Sequence, residues 1–258
     1  MDKVTYEQTG ALGVITLADK PLNLLGDGLR QGLFKAIEQA GQGHLRGLLL
    51  KADEGHFSAG ADVSKFLGLT PEAARERFRD FHAFLHTIEG FPFPTMAAVR
   101  GLCLGGGLEI ALAFDLIWAA ENAAFGQVEV IIGALPFGGG AQRLAARVGA
   151  SRAKEIAFSG RIYPARDFER WNIINRVLPE EDLGAKAMAY MQNLAENGAT
   201  VAMGSTKRII NTYVEKGLAE ADLLTLDLAA ELFKTEDLQL GARSLLANGP
   251  GKARFLGN

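Results

Sequence analysis

Cysteine is almost missing from this 258-residue chain. With Cys103 alone, neither an intrachain disulfide nor a cysteine-based metal cluster can form, and a reducing compartment is the natural expectation. A basic excess is also missing. Lysine and arginine number 27 against 30 acidic residues, for a net charge of -3, so nothing in the overall balance attracts nucleic acid or an anionic membrane. Long apolar runs are absent too: Ile110 to Leu112 and the stretch from Phe114 to Ala120 are broken by Asp115, too short for a membrane span. The polar segment Met1 to Gly10 lacks the apolar centre of a signal peptide, which leads us to expect a cytoplasmic protein.

Recognisable nucleotide and metal motifs are lacking as well. Gly204-Ser205-Thr206-Lys207 lacks the Walker pattern, and Gly101 to Gly107 does not spell the dinucleotide fingerprint. His82 and His86 stand four apart on an expected helix, but no glutamate follows the first in the H-E-x-x-H manner. We read them as packing and expect no metal.

What is present is ordinary globular material, 48% hydrophobic and 22% charged, enough for one α/β core with a small appendage. Alternating patterns predict strands at Val4 to Glu7, Gly13 to Leu17, Gly47 to Lys51, Thr95 to Val99 and Asp115 to Ala119. Helical spacing predicts Leu29 to Ala40, Pro71 to about Glu89 and Leu108 to Ala113. From Gly139 onward the pattern is helical, interrupted by an expected strand at Ile173 to Val177. The composition turns purely helical near residue 200 without a Pro- or Ser-rich linker. We therefore expect a core over 1–198 and a helical region over 199–258 packed on it.

Two small-residue turns follow strands. Gly105-Gly106-Gly107 precedes a helix, leaving its first N–H groups uncovered; such a turn serves either tight packing or reception of an oxyanion. Ser58-Ala59-Gly60-Ala61-Asp62 follows another strand in the same way, with Asp62 placed to cap what comes next. Glu109 and Glu129 interrupt apolar surroundings, between Leu108 and Ile110 and between Val128 and Val130. Burial there would raise their pKa values into the range useful for general acid/base work. A surface or salt-bridged glutamate is the ordinary alternative for each.

Phe57 to Asp62, then Ala97 to Gly107 with Glu109, then Phe125 to Glu129 with Gly138 to Leu144, resemble successive signature blocks of the crotonase (enoyl-CoA hydratase/isomerase) superfamily. The likeness continues through Lys154-Glu155, Ser159-Gly160 and the tail, so it spans essentially the whole chain. It implies a spiral of ββα units, a C-terminal helical trimerisation region, a homotrimer or homohexamer, and an acyl-CoA substrate with no separate cofactor. By the same resemblance, the N–H groups of Ala61 and Gly106 form an oxyanion hole. Coenzyme A lies along Ala59, Gly60, Ala61, Asp62, Val63 and Ser64 and near Gly105, with Lys20, Leu22, Lys252 and Phe255 as further contacts.

Hydratases of this group carry both glutamates. They hold a water for attack on Cβ of a 2-enoyl thioester, and Glu129 serves the proton that ends on Cα. Dienoyl isomerases and aryl-CoA dehalogenases use an aspartate where Phe137 stands here, which removes those activities. Phe137 also replaces the usual glycine of the hydratases and is expected to reshape the acyl pocket. Two other activities stay in view: Δ3 to Δ2 enoyl-CoA isomerisation, and a catalytically silent acyl-CoA-binding subunit.

Overall fold

The computed structural model describes residues 2–257. A six-stranded sheet runs in the order β1-β2-β3-β4-β6-β9, formed by Val4–Thr9, Leu12–Leu17, Gly47–Ala52, Thr95–Val99, Leu116–Ala120 and Arg176–Leu178. Only the β1–β2 hairpin is antiparallel; every later neighbour is parallel. A second sheet contains β5 (Leu102–Leu104), β7 (Ala124–Gly126) and β8 (Tyr163–Pro164), and Ser58 extends it by a single bridge to Cys103. A large-sheet strand, a short strand or bridge and a helix therefore recur in sequence. This is the expected spiral of ββα units.

The helices are α1 (Asp27–Gln42), α2 (Pro71–Glu89), α3 (Gly106–Ala113), α4 (Gly140–Val148), α5 (Ala150–Ser159), α6 (Ala165–Arg170), α7 (Glu180–Asn197), α8 (Thr200–Lys216), α9 (Leu218–Leu232) and α10 (Glu236–Asn248). Strand residues alternate between two buried faces, as parallel sheets covered on both sides require. Leu48, Leu50, Ala97 and Val99 point into the main core with Leu29, Leu33 and Leu85. Leu49, Met96, Ala98 and Trp118 point the other way, onto Leu183, Ala187, Met191 and Ala195 of α7, whose spacing of four sets one helical stripe against the sheet. Among the described residues, no helix is long and apolar enough to cross a membrane.

Two strands differ from expectation. Ile173 and Ile174 are buried, but their N–H groups turn back to the Phe168 carbonyl at 2.9 and 3.4 Å, closing α6, so pairing begins only at Arg176. Asp115 stays outside β6. Its carboxylate accepts the Thr95 N–H and hydroxyl at 2.8 and 2.9 Å and meets Lys207 of α8 at 3.0 Å, fastening the tail to the core. Gly204 of α8 packs so closely on the Pro92 backbone that a Cβ there would lie 2.2 Å from its carbonyl oxygen.

Candidate active site

The two small-residue turns meet at one end of the short sheet. In the first, Ala59 donates to the Leu22 carbonyl at 2.9 Å and Gly60 to the Ser58 hydroxyl at 3.1 Å; Ser58 in turn donates to the Asn23 carbonyl at 2.8 Å. These bonds consume every N–H of the turn up to Ala61, whose own N–H has no acceptor among the described residues. In the second, Gly105 donates to the Gly126 carbonyl at 2.8 Å and Glu109 to the Gly105 carbonyl at 3.0 Å. Gly106 lies in the first turn of α3, where helical N–H groups lack internal partners, and no side chain caps it.

Glycine is required here for two reasons. Gly105 sits at φ 50, a backbone conformation costly for other residues. Gly107 passes so near Ser58 that a Cβ would lie 2.7 Å from both its Cβ and its carbonyl oxygen. The close approach brings the free donors together: a Cβ on Gly60 would lie 3.6 Å from the Gly106 nitrogen, and one on Gly106 would lie 3.9 Å from the Ala61 nitrogen. Two unpaired N–H groups thus face a common space, the geometry suited to an oxygen that gains negative charge.

Both glutamates border that space. Glu109 is 2% exposed, and its Oε1 accepts the Gly140 N–H at 2.9 Å. Burial pushes its carboxyl up to about 7, partly opposed by the Gly140 and Gly138 N–H groups and assisted by the nearby Glu129 charge. Glu129 opens a short 3-10 turn, Glu129–Ile132. Its Oε1 accepts from Gln127 Nε2 at 2.7 Å while Oε2 is buried without a partner, and burial raises its pKa as well. Of the two valines expected to flank it, Val128 lines the same cavity while Val130 faces outward; Gly105 and Gln127 complete the enclosure of the carboxylate.

A cavity of about 150 Å³ joins these groups. Ala59, Gly60, Ala61, Val63, Gly105 and Gly106 line it together with both glutamates and Phe137. Asp62 does not line it; its carboxylate caps the turn Val63–Phe66, accepting from the Ser64 N–H at 3.2 Å and hydroxyl at 2.6 Å. Leu22 contributes through its carbonyl, which holds Ala59. Lys20, Lys252 and Phe255 are not brought to the cavity. Lys20 pairs with Glu54 at 2.7 Å, and Phe255 packs on α10, where a Cβ on Gly241 would be 3.0 Å from its ring.

Phe137, expected at the acyl pocket, lines the cavity, but the residues packed around it carry no motif in the sequence. Phe137 stacks on Phe78 at 4.2 Å and meets Phe66 edge-on at 6.0 Å, forming an aromatic wall. The Phe137 carbonyl bonds His82 Nε2 at 2.7 Å, and Arg143 donates to the Gly138 carbonyl at 2.8 Å while gripping Glu89 with two bonds of 2.7 and 2.8 Å. These two side chains brace the loop that presents the Gly140 N–H to Glu109. His82 and His86 are thereby engaged separately, His86 bonding Glu89 at 2.9 Å. A recurrent i, i+3 or i, i+4 pattern on α2 was the only available hint of the inward face that carries Phe78, Phe81 and His82.

Fold and site together define an α/β protein with two convergent donor turns and paired high-pKa carboxylates. The family profile described as Enoyl-CoA hydratase/isomerase matches residues 7–250. A probable enoyl-CoA hydratase of Rhizobium meliloti is 33% identical over 256 residues, covering 98% of each chain. One from Mycobacterium bovis is 31% identical over 247 residues, covering 95% of each. A solved enoyl-CoA hydratase subunit from Geobacillus kaustophilus superposes with a TM-score of 0.92 at 32% identity, covering 99% of this chain and 98% of that one. The chain belongs to the enoyl-CoA hydratase/isomerase family, and it is an enzyme with that family's general chemistry on coenzyme A thioesters.

Proposed function

We propose that the enzyme reversibly hydrates a 2-enoyl-CoA to the 3-hydroxyacyl-CoA, acting as a hydro-lyase. The observation that carries this reading is the placement of a buried carboxyl, Glu109, and a half-buried one, Glu129, both with raised pKa, beside the free N–H groups of Ala61 and Gly106. In this reading the thioester oxygen accepts from those two N–H groups. Water adds through its oxygen to Cβ, the π electrons move onto the thioester oxygen, and the enolate collapses as Cα takes a proton from Glu129. Glu109, reacting in its ionised form, takes the proton lost by the water, and return of a proton from Glu109 to Glu129 resets the pair for the next turnover. One such donor contributes about 3 kcal/mol to stabilising the developing charge. The partly unpaired Glu129 carboxylate and the Gly140-held Glu109 are suited to share a water between them.

The coenzyme A portion would run along Ala59 to Ser64, of which Ala59, Gly60, Ala61 and Val63 line the cavity. The exposed apolar side chains of α8 to α10, among them Ile210, Tyr213, Leu223, Leu226 and Leu246, support assembly into a homotrimer or a pair of trimers.

The aromatic wall favours one further reading, Δ3 to Δ2 isomerisation, because a drier pocket suits proton movement by a single base. Loss of enoyl absorbance by the wild type, with Glu109→Ala and Glu129→Ala each at least about a hundredfold slower, is the expected result. An active double-alanine variant would sink the chemistry. Oxygen-18 from water enters the hydration product and does not enter an isomerisation product.

A further inference from the structure

The cavity wall formed by α1 and α2 includes two guanidinium groups, Arg30 and Arg77. Arg77 has a partner: its Nη1 lies 3.3 Å from Asp27, a carboxylate shared with Lys65 at 3.4 Å. Arg30 has none. Its Nε and Nη1 are shut off from solvent and make no hydrogen bond among the described residues, and its Cζ sits 5.3 Å from the Phe34 ring centroid. The charges around it are Arg77, which repels it, and Asp27 and Asp80, neither close enough to form an ion pair with it. Buried charged donors without acceptors are costly, and a guanidinium fork matches a carboxylate with two parallel bonds.

We propose that Arg30 receives a carboxylate at the far end of the acyl group, so that the enzyme selects a short thioester derived from a dicarboxylic acid. This rests on the acyl-CoA reading given above and names its substrate class. The confines of the cavity agree with it. Phe66, Phe78 and Phe137 wall off about 150 Å³, below the roughly 300–1,000 Å³ of common ligand pockets. A long alkyl tail has little room there, and a short uncharged one leaves Arg30 unpaired. The phosphates of coenzyme A are the other anions the ligand brings. A phosphate contact, however, would serve every thioester alike.

The test is calorimetric binding of glutaryl-CoA against pentanoyl-CoA, saturated thioesters of equal backbone length that undergo no hydration. Wild type is expected to bind glutaryl-CoA at least about tenfold more tightly, the worth of one charge-assisted pair. Arg30→Met should remove the difference and Arg30→Lys should retain part of it. Equal affinities in the wild type overturn the proposal without any variant, and so does a loss in Arg30→Met that is the same for both thioesters. Because binding is read without turnover, an Arg30-dependent preference in a protein that hydrates no enoyl thioester would refute the hydration reading and leave this one standing.

Discussion

The two walls of the cavity are built on different principles. The wall bearing the donor turns is made of backbone at the ends of short parallel strands, held by hydrogen bonds from Ala59, Gly60 and Gly105 and by contacts that only glycine permits. The wall made by α1, α2, the turn Val63–Phe66 and Phe137 consists of side chains meeting from different parts of the sequence: Arg30, Phe66, Phe78 and Phe137. The first has almost no freedom to vary without losing the donors. The second can change residue by residue, which places the common chemistry on one side and the choice of acyl group on the other.

The comparison is broken most severely at Gly107. A Cβ there would meet Ser58 at 2.7 Å, backbone carbonyl included, so the turns must separate and the Ala61 and Gly106 N–H groups diverge. Gly107→Ala is expected to lower kcat by roughly 10²–10³-fold, the worth of one oxyanion donor, with KM far less affected. Steady-state kinetics on an enoyl-CoA decides it. A variant that keeps full kcat would show that donor spacing is not what limits the reaction.

A smaller effect concerns stability. Glu109 keeps its proton up to about pH 7 when folded, against 4.5 ordinarily. Between those values the folded state binds more protons than the unfolded one, so stability falls as pH rises through the window. The wild type should lose about 3 kcal/mol from this group between pH 4.5 and 7, a decline absent from Glu109→Gln. Urea unfolding of both proteins across that range measures the difference. Parallel curves would mean that Glu109 is not held protonated.

The two walls also differ in how legible they are in the sequence. Gly105 to Gly107, Ser58 to Asp62 and the strands before them follow local rules of turn chemistry and alternation, so the α/β class, the larger strands and the position of the turns could be read directly, while the ββα spiral and the donor role came only through resemblance. The strands of the short sheet could not: β5, β7 and β8 are only three, three and two residues long, and tertiary pairing alone defines them. Glu129 was legible in part: burial raises its pKa and Val128 flanks it as expected, but Val130 faces outward, and Gly105 and Gln127, which its local sequence does not announce, complete the enclosure. Arg30 and the His82 and Arg143 braces have no local signature, because His82 reaches Phe137 across 55 positions, Arg143 reaches Glu89 across 54, and the Nε and Nη1 of Arg30 make no hydrogen bond among the described residues. Lys20, Lys252 and Phe255, carried over by resemblance, lie away from the cavity of their own chain.

The mildest change sharpens the distinction between the walls. Phe137 covers the cavity through its stack on Phe78, while its carbonyl, through His82, helps fix the Gly138–Gly140 loop beneath Glu109. Phe137→Ala removes the ring and retains the carbonyl. The donor wall and both glutamates should therefore keep their geometry, and only the space for the acyl group should grow. Each methylene newly buried is worth about 0.8 kcal/mol, or roughly fourfold. kcat/KM for hex-2-enoyl-CoA relative to crotonyl-CoA should then rise by about fifteenfold for two added methylenes, with crotonyl-CoA turnover changed by less than about threefold. An unchanged ratio would place the acyl group elsewhere. A collapse of turnover on both thioesters would show that the aromatic wall supports the carboxylates as well as the substrate, so that the two walls are not independent.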